Sequence, residues 1–150
     1  MTDVNVDLQI ATSDANIPEA SQIKRWAEQA YQGEEPTEVT IRVVDPEESQ
    51  DLNTRYRGKE KPTNVLSFPF EAPPGITVPL LGDLAVCASV VTREAAEQGK
   101  PLDMHWAHMV IHGVLHLQGY DHETEAEAEV MEALEIRLLA ELGYPNPYQD

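Results

Sequence analysis

With one cysteine in 150 residues, Cys87, the chain cannot close an internal disulfide, which excludes the small disulfide-stapled class of domain. Set in the apolar stretch Val86 to Val91, this thiol reads as a small buried hydrophobe. Basic residues are also scarce. Ten Lys and Arg face 27 Asp and Glu, a formal net charge of −17, which argues against the broad basic surface usual in nucleic-acid binders. No apolar run approaches the roughly 18 residues that cross a bilayer, so no membrane association is expected. The opening Met1-Thr2-Asp3-Val4 has neither a basic nor an apolar leader segment, so the expected compartment is the cytoplasm. Internal repeats and low-complexity tracts are missing as well.

What is present fits one domain: the length suits a single core, and the 41% hydrophobic residues are spread along the whole chain. Val4, Val6, Leu8 and Ile10 alternate with polar residues, the period of a half-buried strand ending by Ala11. Asn16 with Glu19, and Pro18 in the first turn, predict a helix to about Tyr31. Val39, Ile41 and Val43 predict a second strand ending at Asp45-Pro46, followed by a short helix. Further strands are expected over Asn64–Phe70 and Leu80–Cys87, on either side of a Pro73-Pro74-Gly75 loop. Helices are expected over Ala88–Gln98 and Leu102–Gln118. Thr124 and Glu127 form a capping box for a last helix, whose apolar positions are Val130, Leu134, Ile136, Leu138, Leu139 and Leu142. Strands mostly early and helices mostly late point to an α+β fold, about four strands with about five or six helices, and to a largely buried histidine helix.

Three of the five histidines stand in a pattern that grips metal. His112 and His116, four apart on a helix, project from one face about a turn apart. Gly119 breaks the helix, so the chain can turn back and offer His122 to the same ion. Three neutral imidazoles suit zinc, one ion per chain, and leave a fourth tetrahedral position open, the mark of a catalytic site. His105 and His108 share that helical face and are either outer partners of the site or packed histidines. Asp121 either orients His122 or shapes the turn. The same spacing occurs in the metzincin proteases, but those carry a Glu directly after the first His as general base. Here that position is Gly113, which cannot accept a proton, so proteolysis of that kind is not expected.

Charge is polarised along the chain: Arg55, Arg57, Lys59 and Lys61 put four of the ten basic residues within seven positions, while seven glutamates load the segment from Glu123 to Glu141. By charge alone the basic run reads as a solvated loop more readily than as a phosphate-binding entrance, and the acidic helix as a solvated face more readily than as a partner surface.

The run His112-Gly113-Val114-Leu115-His116-Leu117-Gln118-Gly119-Tyr120-Asp121-His122 resembles the signature of the YbeY endoribonucleases. Asn53-Thr54-Arg55-Tyr56-Arg57, Pro62-Thr63-Asn64-Val65-Leu66-Ser67-Phe68-Pro69 and Gly82-Asp83-Leu84 resemble that family's other recurring segments, in the same order, and the likeness extends from about Val39 to Tyr144. The resemblance implies a metal-dependent, single-strand-specific ribonuclease that matures ribosomal RNA at the 3′ end of the small-subunit RNA and serves ribosome quality control. It implies zinc on His112, His116 and His122, an important arginine at Arg57, and an α+β fold with a small mixed sheet. The partners it implies are single-stranded and ribosomal RNA, not DNA, and the small subunit with its assembly factors.

Phosphodiester chemistry also suits the residues. A bound zinc lowers the pKa of water towards about 7 without a dedicated carboxylate. Arg57 is a fixed cation able to hold two phosphate oxygens at once, so the catalytic assignment falls on His112 and Arg57. Arg55, Lys59 and Lys61 are then candidate substrate contacts, and Phe68 and Tyr120 either stack bases or pack. Attack by water and attack by the RNA's own 2′-OH both remain open. Two other readings are a metallopeptidase, with Glu71 or Asp83 as base, and a non-catalytic zinc-stabilised assembly factor.

Overall fold

The computed structural model describes residues 4–71, 73–75 and 79–148. Four strands, β1 (Val4–Ala11), β2 (Thr37–Val44), β3 (Val65–Pro69) and β4 (Leu80–Cys87), form one sheet in the order β1-β2-β4-β3. β1, β2 and β4 run parallel and β3 antiparallel, so the sheet is mixed. With five helices, α1 (Ala20–Ala30), α2 (Pro46–Arg57), α3 (Ala88–Gln98), α4 (Leu102–Leu117) and α5 (Glu125–Glu141), the fold is α+β.

Strand periodicity sorts the residues between two faces. Val39, Ile41 and Val43 of β2 and Leu84 and Val86 of β4 point into one core with Ile23 and Trp26 of α1 and Trp106, Val110, Ile111 and Val114 of α4. Thr40, Arg42, Asp83 and Ala85 face the other way, towards Glu48, Leu52 and Tyr56 of α2. The histidine helix α4 is therefore buried on one side of the sheet, and α2 lies on the other. Cys87 is buried, as its setting implied.

Two helices depart from the sequence reading, one in its start and one in its length. The cap of α1 is Glu19, paired with Gln22 in a capping box, and Pro18 precedes the helix; Asn16 instead donates its backbone N–H to Asp14 Oδ1 in a local turn. The helix after Asp45 is not short. Pro46 opens it, and it runs 12 residues until Gly58 ends it in the left-handed conformation, which puts Arg55 and Arg57 in its last turn rather than in a loop. The α5 capping box forms as expected, Thr124 Oγ1 accepting from Glu127 N at 3.1 Å.

Candidate metal centre

The i, i+4 spacing on α4 brings His112 and His116 together with their Nε2 atoms 3.1 Å apart. α4 ends at Leu117, and Gln118 fastens that end: its side chain donates to Ala30 O at 2.9 Å and Val114 O at 3.1 Å, and accepts from Gln32 N at 2.7 Å. Gly119, at φ +99°, then reverses the chain in a conformation that L side chains rarely adopt. His122 returns to lie with its ring centroid 5.6 Å from His112 and 5.0 Å from His116. One nitrogen from each ring falls in a group whose members are all within 4.8 Å of one another. Tetrahedral zinc with N ligands at about 2.0–2.1 Å places ligand nitrogens ~3.3 Å apart, so this donor set fits one ion.

Behind the rings stands Glu135 of α5, fully buried. His112 Nδ1 donates to its Oε1 at 2.7 Å, and His108 Nε2 donates to its Oε2 at 2.9 Å. Burial pushes this carboxyl's pKa up, but the hydrogen bonds and charge of His108 and His112 outweigh it and hold the group at about 2, so it is ionised at neutral pH. An ionised carboxylate only accepts. The contact therefore holds a His112 proton on Nδ1, and the neutral ring in that tautomer turns a bare Nε2 towards the cluster, as a metal ligand needs. The His116 pKa is lowered, chiefly by burial and further by His112 and His122, which keeps that ring neutral as well.

These histidines line a cleft of about 940 Å³. Tyr56 and Arg57 at the end of α2 line it too, as does an unbroken stretch, Thr63 to Pro69. Alternate residues of a strand face opposite sides of its sheet, so lining by all five residues of β3 means that the edge of this strand borders the cleft. Cys87 N donates to Asn64 O at 2.9 Å and Phe70 N to Leu81 O at 3.0 Å. By alternation, the backbone groups of Val65, Ser67 and Pro69 point away from β4 and into the cleft.

Of the basic run, only Arg57 lines the cleft. Arg55, expected as a substrate contact, is not among the lining residues and pairs with Asp51 at 3.3 Å. Lys59 and Lys61 sit on an exposed loop held to α2, where Asn53 Nδ2 donates to Lys61 O at 2.8 Å and Lys59 N donates to Asn53 O at 3.3 Å. Tyr120 and Phe68 line the cleft, and Phe68 also packs edge-on against Tyr56, centroids 4.9 Å apart. Asp121 accepts from the His122 backbone N–H at 2.8 Å, with the His122 ring nitrogen 3.9 Å away. His105 bonds to Glu94 at 3.0 Å, away from the three rings, while His108 joins them through Glu135. The two carboxylates considered as a peptidase base, Glu71 and Asp83, are not among the cleft-lining residues.

Glu135 escapes a reading of the sequence because it is one acid among many. The buried stripe of α5 is Met131, Glu135, Leu138 and Leu139, whereas Val130, taken as apolar packing, is 59% exposed. The available signal was an acidic residue falling in register with that stripe.

Gly113 faces the sheet, not the cleft: a Cβ there would meet Leu84 Cδ2 at 2.8 Å and Val65 Cγ2 at 3.2 Å. A glutamate after the first ligand has no room in this fold. Gly113→Ala is expected to cost ~1–3 kcal/mol by overpacking, a fall of roughly 2–4 °C in Tm per kcal/mol, read by thermal melting. An unshifted melt would mean that Leu84 moves aside freely.

An α+β domain with three imidazoles converging at the wall of an open cleft is a metal-competent protein of the hydrolase type. The family model described as Endoribonuclease YbeY matches residues 7–143, and the chain belongs to that family. In fold it is similar to the solution structure of TM1509 from Thermotoga maritima, with a TM-score of 0.57 and 24% identity over 95% of this chain and 99% of that one. No helix among the described residues is long and apolar enough to cross a membrane.

Proposed function

We propose that this chain is a zinc-dependent endoribonuclease specific for single strands, acting in the cytoplasm on ribosomal RNA, at the 3′ end of the small-subunit RNA and in ribosome quality control. The observation that carries the reading is that the three-imidazole cluster and Arg57 line one cleft. Zinc, when bound, supplies Lewis-acid polarisation of a phosphoryl oxygen and a water acidified towards neutrality.

The chain's own residues do the rest. His112, His116 and His122 hold the ion, and Glu135 sets the His112 tautomer. Arg57 grips the phosphate with its planar fork and strengthens that grip as negative charge develops in the transition state. The free edge of β3 offers the Ser67 N–H and C=O to base edges, and Tyr120 offers a ring to stack on. A duplex has its base edges already paired and stacked, which accounts for a preference for single strands.

The decisive comparison is purified wild type against His112→Ala and Arg57→Ala on single-stranded RNA, in preparations shown free of host nucleases. Equal cleavage by all three overturns the reading. Lys59→Ala and Lys61→Ala, whose side chains lie outside the cleft, are expected to preserve turnover and to lower the salt slope of RNA binding by at most about one unit each, measured by titration at several salt concentrations.

A further inference from the structure

The buried carboxylate that meets His112 also meets the end of the chain. Tyr148 O–H donates to Glu135 Oε2, and His108 Nε2 lies 3.2 Å from the Tyr148 oxygen. Tyr148 is held there: its backbone N–H donates to Asn146 Oδ1 at 2.8 Å, and Lys100 Nζ donates to Pro147 O at 2.7 Å, tying the tail to the turn between α3 and α4.

We infer that Glu135 is a positioning residue for the metal ligand His112 and that Tyr148 belongs to the same device, so that the C-terminal segment tunes zinc binding without touching the ion. The inference rests on the reading of His112, His116 and His122 as zinc ligands.

The geometry leaves Glu135 little freedom. One oxygen is committed to His112, the other to His108 and Tyr148. Among the described residues His108 Nδ1 is buried without a partner, so His108 is held through Nε2 alone, on the Oε2 and Tyr148 side. A buried carboxylate without these donors would be strongly destabilised, which makes the three contacts mutually dependent. Tyr148, by donating to Oε2, fixes the rotation of the carboxylate and so aims Oε1 at His112 Nδ1. That in turn fixes the ring plane and directs the His112 Nε2 lone pair to the cluster. The same three groups His108, His112 and Glu135 form a second set close enough for a cation. Two direct hydrogen bonds of 2.7 and 2.9 Å fill the space between them, however, and identify them as a hydrogen-bonded support.

Glu135→Gln keeps the shape and removes the charge. An amide oxygen can serve His112 only by turning its NH₂ group towards His108 and Tyr148, both of which would have to change from donor to acceptor. An amide NH₂ aimed at His112 would force the proton to Nε2, where the metal must bind.

The test uses the full chain, with zinc affinity measured by competition against a chromogenic chelator and the His112 tautomer by ¹⁵N–¹H correlation in the metal-free protein. Glu135→Gln is expected to weaken zinc binding about 10–100-fold and to populate the Nε2–H tautomer of His112. Tyr148→Phe, conservative and partly exposed, is expected to weaken binding a few-fold in the same direction, and it keeps the test valid if Glu135→Gln folds poorly. Leu138→Ala removes buried packing from the same helix and should melt lower while keeping wild-type affinity and tautomer. Wild-type zinc affinity in both Glu135→Gln and Tyr148→Phe, with only the melting temperature moved, overturns the inference and leaves the ligand assignment standing. A wild-type chain that binds no zinc, or binds it equally well as His116→Ala, overturns the ligand assignment and this inference with it.

Discussion

Chelation of zinc is expected to lower the melting temperature of the purified chain by about 10 °C, and His116→Ala to reproduce that loss with zinc content near zero. An ion that binds only the folded chain adds RT ln(1 + [L]/Kd) to stability, about 4 kcal/mol at a thousandfold excess over Kd, and a domain of this size shifts by roughly 2–4 °C per kcal/mol. The structure locates where that energy enters. His112 and His116 lie on a buried helix and the His122 side chain is 57% exposed beyond the Gly119 bend, so an ion held by all three would tie the exposed bend to the buried helix. Elemental analysis of untagged protein should find about one zinc per chain. A melting curve that chelator leaves in place, or His116→Ala retaining full zinc, contradicts the assignment.

Arg57→Ala is expected to cut RNA cleavage by about 10²–10³-fold while zinc content and melting temperature stay at wild-type values. Arg57 is exposed and makes no ion pair among the described residues, unlike its neighbour Arg55, so its removal leaves no buried partner behind. Its position in the last turn of α2 directs a fixed charge at the cleft without adding to the core. Arg57→Lys should recover only part of the rate, because a point charge cannot hold two oxygens in the planar fork. Single-turnover cleavage of a labelled single strand, with metal analysis on the same sample, measures both halves. Wild-type cleavage by Arg57→Ala would reduce Arg57 to a surface charge.

Much of this was legible in the residues, for physical reasons that differ by element. Strand alternation in Val4–Ala11 and Thr37–Val44 and the stop signals at Gly99 and Gly119 are local, and each matches an observed boundary to within a residue or two. The triad of imidazoles was legible for the same reason: i, i+4 spacing and a glycine bend are decided within eleven residues. What could not be read depends on contacts between distant segments. Gly113 was visible as a missing base, but the cause is Leu84, 29 positions earlier, pressing on α4. The basic run looked like four equivalent charges, and only the course of α2 and its loop separates Arg57 from Arg55, Lys59 and Lys61. Glu135 and Tyr148 act from another helix and from the tail, and no spacing rule connects them to His112.

The order β1-β2-β4-β3 divides the cleft between two stretches of chain. The end of α2 and the edge of β3, which line the cleft, belong to the single excursion from β2 to β4, whereas the three histidines follow later on α4 and its bend. Selection can therefore rewrite that excursion, and with it the choice of strand the protein accepts, while the reactive centre is inherited intact. A chimera that exchanges only this crossover between two relatives should move substrate preference and leave metal loading with its host.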